Sequence, residues 1–106
     1  EFNMKIVGVS ACPTGVAHTY MAQEALEKEG KKRGHEIKIE TQGSIGIENE
    51  VTEEEAEEAD VVILAVSVFI ENEERFEDKL VLNADVNDAI SYPAKVLDAA
   101  EKLVNG

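Results

Sequence analysis

The chain is short of cysteine, of cations and of long apolar runs, and each shortage removes a class of function. One cysteine in 106 residues, Cys12, rules out an internal disulfide framework and a cysteine-based zinc cluster. It leaves room for a reactive thiol in a reducing compartment. Ten Lys and Arg stand against 23 Asp and Glu, a net charge of −13, which speaks against nucleic acid or an anionic membrane surface as a general partner. The longest apolar run, Val61 to Val66, is far too short to cross a bilayer, and no secretory signal opens the chain. With two scattered histidines and one cysteine, a metal site has little support, and no cofactor is expected.

What is present is the composition of a folded globule. Apolar residues make up 43% of the chain, and the length suits one domain that needs no staple. Glu1-Phe2-Asn3 ahead of Met4 reads as a cloning scar, leaving 4–106 as one domain. The charge is uneven. Residues 1–39 hold 6 basic and 5 acidic side chains, whereas 40–106 hold 4 and 18. The dense stretches, Glu48 to Asp60 and Glu71 to Asp78, read as solvated surface.

Lys5 to Val9 is a β-branched strand, followed by a loop from Ser10 to Gly15. From Val16 to Arg33 the pattern is helical, with Ala17, Met21 and Ala25, flanked by Ala22 and Leu26, as the face toward a sheet. Gly30 weakens that helix, and the cations before Gly34 suit its end. Ile37 and Ile39 alternate with polar residues in an edge strand over 36–41, closed by a Gln42-Gly43-Ser44 loop. Thr52 and Glu55 form a capping box for a short helix ending near Ala59. Val61 to Val66 suits a central parallel strand, Leu80 to Leu82 a last strand, and Ser91 onward a helix with an apolar stripe. This order predicts an α/β fold, a three-layer αβα sandwich on a four-stranded parallel sheet of the open, Rossmann-like or flavodoxin-like kind.

In such sheets the ligand site lies beyond the carboxyl ends of the strands. The cysteine is there, in Cys12-Pro-Thr-Gly-Val-Ala-His-Thr19, just before a long helix. Unpaired amides and the helix dipole favour negative charge at such a place, lowering a thiol's pKa from roughly 8.5 toward neutrality. The same amides can cradle a phosphate carried on the sulfur. A small buried hydrophobe is the plainer reading of the cysteine.

Small cytosolic tyrosine phosphatases carry a Cys-x5-Arg-Ser/Thr loop in the equivalent place. Here the arginine position is His18, followed by Thr19, so the guanidinium that would grip phosphate is missing. Hydrolysis is disfavoured on that ground; holding and passing on a phosphoryl group is not. His18 can bond the phosphoryl group or keep Cys12 ionised, or it caps backbone or lies outside. His35 reads as exposed filler in a turn, and Phe69 and Phe76 as core. Gln42, Gly43 and Ser44 form either a rim beside Cys12 or an ordinary turn. Arg75 and Lys79 are either cations for an anion or partner, or members of surface ion pairs.

The run from Cys12 to Ala22 resembles the phosphorylation loop of fructose-class IIB components of the bacterial sugar phosphotransferase system. Glu40 to Ser44, Ala59 to Ile63, and Arg75-Phe76 followed by Lys79 are similar to that family as well, so the likeness covers nearly the whole chain. The resemblance implies a cytoplasmic phosphotransferase, peripheral to a membrane permease. Cys12 would take a phosphoryl group from a IIA phosphohistidine and pass it to a sugar, fructose or a relative, held by the IIC permease. Pro13, Thr14, Gly15, Val16, Ala17 and Thr19 would surround the phosphoryl group, with His18 as a helper. Competing readings are a phosphatase-like hydrolase, a thiol-based redox or regulatory module, and, with one glycine in the loop, a weakly supported nucleotide or flavin module. Partners should meet the near-neutral Cys12 face and avoid the Glu48 to Asp60 helix, unless they bring cations to it.

Overall fold

The computed structural model describes residues 3–12, 16–43 and 46–106. Alternation along β1 (Lys5–Ala11) sends Ile6 to one face of the sheet and Val7 and Val9 to the other, and both faces are buried. Parallel neighbours on each side complete it: β2 (Glu36–Gly43) and β4 (Val61–Val66). The last parallel strand is β5 (Val81–Ala84), and a short β3 (Gly46–Glu48) runs antiparallel to β2. The order is β3-β2-β1-β4-β5.

Helices α1 (Val16–Lys32), α3 (Val86–Ser91) and α4 (Pro93–Asn105) cover one face, where Ile6, Leu26, Ile39, Ile63 and Leu97 are packed together. A thinner layer covers the other: α2 (Glu53–Glu58) and a 3-10 turn at Glu73–Phe76, over Val7, Val9, Val62 and Phe76. The expected three-layer α/β architecture is therefore present, with a fifth strand added. The turn-forming Gln42 and Gly43 are not loop: they extend β2 and pair with Ile47 and Gly46. β2 is an edge only at its start, since β3 pairs with Thr41 to Gly43 alone.

Other differences have local causes. The final helix starts at Pro93 as expected, because Tyr92 before it is held out of helical geometry (φ −133°, ψ 54°), and α3 ahead of it is a helix that the sequence reading did not include. The buried face of α1 is Thr19, Ala22, Leu26 and Gly30, whereas Met21 is 48% exposed. Gly30 is part of the packing: a Cβ there would lie 2.8 Å from Ile37 Cγ2. His35 is not filler. It is buried, its Nδ1 accepts from the Met4 amide (3.0 Å), and its Nε2 lies 2.7 Å from Glu101 Oε2. With Nδ1 accepting, Nε2 carries the proton and donates to the carboxylate. Phe76 is core, but Phe69 is 99% exposed.

Candidate functional site at the carboxyl end of β1

β1 delivers Cys12 to the carboxyl edge of the sheet, next to Ala11, whose register partners are Gln42 on β2 and Val66 on β4. Cys12 is half-buried against the larger core cluster. Helix α1 begins at Val16, and its first turn carries no acidic residue, while Lys31 and Lys32 close its far end. The positive end of the dipole is therefore not neutralised by its own side chains. Pro13, Thr14 and Gly15, together with the Val16 side chain and Ser44, lie outside the described residues.

Ser10, which reads as loop in the sequence, is the last buried hydroxyl of β1. Its Oγ donates to the Thr19 carbonyl (2.9 Å), fastening the first turn of α1 to the strand that bears Cys12. Thr19 is itself buried at this junction. Ala17 and His18 are exposed on the same turn. Tyr20 Oη donates to Glu48, tying α1 to β3, and that bond raises the phenol's pKa above its ordinary value.

Gln42 belongs to a buried polar network. Its Nε2 donates to Glu40 Oε2 (2.6 Å) and to the Glu71 carbonyl (3.1 Å), and its Oε1 accepts from the Glu71 amide (2.8 Å). Glu40 also accepts from the Val51 amide (2.8 Å) and from Arg75. Desolvation pushes this carboxyl up, but the bonds from Arg75, Gln42 and Val51 outweigh it and hold its pKa below the ordinary range. Arg75 is thus not the available cation that the sequence suggests: its side chain is 4% exposed and committed to Glu40 and the Val51 carbonyl. Lys79 is also elsewhere. It donates to the Glu57 carbonyl (2.9 Å) near the amino end of β5, at the opposite edge of the sheet from Cys12.

The segment after β4 adds a feature that sequence reading missed. The Ser67 amide donates to the Ala11 carbonyl (3.1 Å), and Glu71 is clasped by Gln42. Residues 67–71 therefore pass from β4 to β2 and form a strap across the carboxyl end of β1, the end from which Cys12 continues. Two inter-strand gaps are about 10 Å, well within reach of five residues. The acidic 71–78 stretch consequently begins at the Cys12 edge and not away from it. Among the described residues, no group of three His, Cys, Asp or Glu is placed to hold a metal.

The family described as "PTS system, Lactose/Cellobiose specific IIB subunit" matches residues 7–99. The "PTS system fructose-like EIIB component 2" of Escherichia coli K12 is 50% identical over 97 residues, covering 92% of each chain. A "PTS system fructose-specific EIIB'BC component" of Rhodobacter capsulatus is 42% identical over 92% of this chain, which spans 17% of that protein. Among solved structures, a domain of the fructose-specific IIABC component of Borrelia burgdorferi superposes with a TM-score of 0.87 at 48% identity, covering 99% of this chain and 97% of that one. A predicted fructose-specific IIB from Escherichia coli gives 0.91 at 36%, covering 97% and 91%. The fold, the place of Cys12 at the end of β1 and these matches agree: the chain belongs to the IIB subunits of the phosphotransferase system.

Proposed function

We propose that Cys12 is the phosphoryl carrier of a fructose-type sugar phosphotransferase system, loaded by a IIA phosphohistidine and unloaded to a sugar held by a membrane IIC permease. In the first step the Cys12 thiolate attacks phosphorus in line. The S–P bond forms, the N–P bond breaks, and the imidazole leaves. In the second, a sugar hydroxyl attacks phosphorus, the S–P bond breaks and the thiolate returns, while a base on the permease side takes the hydroxyl proton. This chain's part is positioning and charge stabilisation by the amides of Thr14 to Ala17 and the Thr14 hydroxyl, with His18 assisting from the exposed first turn.

The observation that carries this reading is Cys12 at the end of β1, directly ahead of a helix with no acid in its first turn. The fructose-like names of the relatives support the sugar class, and the fused B'BC relative supports a IIC partner. No described helix is long and apolar enough to cross a membrane, in keeping with a domain that works from the cytoplasmic side of its permease.

The test is to incubate the protein with phosphohistidine-loaded IIA and weigh it. Wild type gains one phosphoryl group, which shields Cys12 from alkylation. Cys12→Ser ends the relay, whereas His18→Ala slows it. Full transfer by Cys12→Ser assigns the wrong nucleophile, and rapid phosphate-ester turnover without partners makes the protein a hydrolase.

A further inference from the structure

The strap across the end of β1 is ordered yet carries the most exposed large apolar side chain among the described residues. Phe69 is 99% exposed and Val68 40%. Both ends of the segment are fixed, at Ala11 by the Ser67 amide and at Gln42 by Glu71, and Ile70 packs into the smaller core cluster. An aromatic residue presented on a pre-ordered segment can bind without the entropy cost of ordering a loop. Beside it, Val66, Val68, Phe69, Ile70 and Glu73 line an open groove of about 630 Å³.

The surroundings of this apolar tip are acidic. Glu71, Glu73 and Glu74 are exposed, and the cation among them in sequence, Arg75, is buried against Glu40. An anionic lipid surface would be repelled by such a fringe. The cytoplasmic loops of integral membrane proteins carry an excess of Lys and Arg, the complementary chemistry. The strap also lies at the carboxyl edge of the sheet from which Cys12 emerges, so a protein seated on it is brought to the end of the sheet that bears the thiol.

We infer that Phe69 and Val68, with the Glu71, Glu73 and Glu74 fringe, form the docking surface for the cationic cytoplasmic face of the membrane permease that accepts phosphoryl from Cys12. The inference rests on the carrier reading above and adds to it the surface by which the acceptor is recognised. Phe69 fills an apolar recess of the permease, and the carboxylates pair with basic residues around that recess.

The two transfers are measured separately. Loading is followed as phosphocysteine formed from phosphohistidine-bearing IIA. Unloading is followed as radiolabelled fructose phosphate formed by inverted membrane vesicles carrying a fructose-type IIC. Phe69→Ser raises the concentration of loaded protein needed for half-maximal unloading about tenfold, the scale of a lost aromatic anchor. It leaves the maximal rate and the loading step unchanged. Glu73→Gln combined with Glu74→Gln raises the same concentration and flattens its dependence on salt. Both variants melt with wild type, so lost folding does not explain the effect. Unchanged half-saturation in Phe69→Ser overturns the inference while leaving the carrier reading intact. A defect confined to loading overturns it by giving the strap to the phosphohistidine donor, and equal binding to vesicles without IIC overturns it by making the contact lipid. Failure of wild type to form phosphocysteine removes the carrier reading and the inference with it.

Discussion

Glu40 and Arg75 face each other across the buried side of the sheet in a doubly hydrogen-bonded pair, with Nη1 2.7 Å from Oε1 and Nη2 2.9 Å from Oε2. Thirty-five positions separate them in sequence, and neither side chain is more than 4% exposed. The pair joins the carboxyl half of β2 to the 3-10 turn that follows the strap. Gln42 and the Val51 amide also donate to Glu40, and the Val51 carbonyl accepts from Arg75, whereas the buried Arg75 Nε finds no partner among the described residues.

Removing one member leaves the other charged and buried without its partner. Arg75→Ala is therefore expected to cost about 3–5 kcal/mol of stability, read from urea unfolding. Arg75→Lys recovers part of the loss, because a point charge cannot reproduce the two-pronged contact. A loss within the range of an ordinary surface change, about 0.5 kcal/mol, would show that the pair does not hold the fold.

The same pair sets a pH dependence. Glu40 is held below its ordinary pKa by Arg75, Gln42 and Val51 against the opposing effect of desolvation. Glu101 is drawn down chiefly by its bond from His35, and Glu55 chiefly by the Thr52 amide. A carboxyl depressed in the folded state binds fewer protons than in the unfolded chain. Its stabilisation is complete above the unfolded value of about 4.3 and drains away as pH falls through the lower folded value. Urea midpoints should therefore hold near neutrality and fall in acid. The deficit of Glu40→Gln relative to wild type should shrink on the same descent. A deficit constant from neutral to acid pH would mean that Glu40 titrates alike in both states.

Gly8 offers a test of the centre of the sheet. A Cβ built on it would sit 2.3 Å from the Ile63 carbonyl oxygen and 2.9 Å from Ile39 Cδ1. The first contact is backbone of β4, which cannot swing aside as a side chain can. Gly8→Ala, a gentle change elsewhere in a strand, is expected to cost about 3 kcal/mol or more by forcing β1 and β4 apart. A melting temperature equal to that of wild type would show that the ladder relaxes around the methyl group.

Much of this was legible in sequence where the signal is local. The continuous Val61–Val66 run is the strand between β1 and β5, and Thr52 with Glu55 forms both bonds of its capping box. The cysteine ahead of a helix is equally local. What escaped depends on contacts distant along the chain. Arg75 looks like an available cation until the fold brings Glu40 to it. His35 looks like turn filler until α4 brings Glu101 within 2.7 Å. Phe69 reads as core by its chemistry, and only the pinning of residues 67–71 at two strand ends turns it outward. Lys79 shares a motif with Arg75, yet it lies at the other edge of the sheet, because the chain has already turned back toward the start of β5.

Gln42 is the clasp on which the strap depends, and it can be released without touching Cys12. Its amide makes two bonds to the Glu71 backbone and one to Glu40. Gln42→Ala removes all three and leaves the Glu71 amide without that acceptor, while the Ser67 bond to Ala11 remains. Local opening then costs less at one end of the strap than at the other. Hydrogen exchange should accelerate at Glu71, with the amides of β1 and β4 still protected. Residues 67–71 would lose their fixed course, so unloading should weaken through half-saturation, as it does when Phe69 is removed. Unaltered exchange at Glu71 would show that Ile70 packing holds the strap without Gln42.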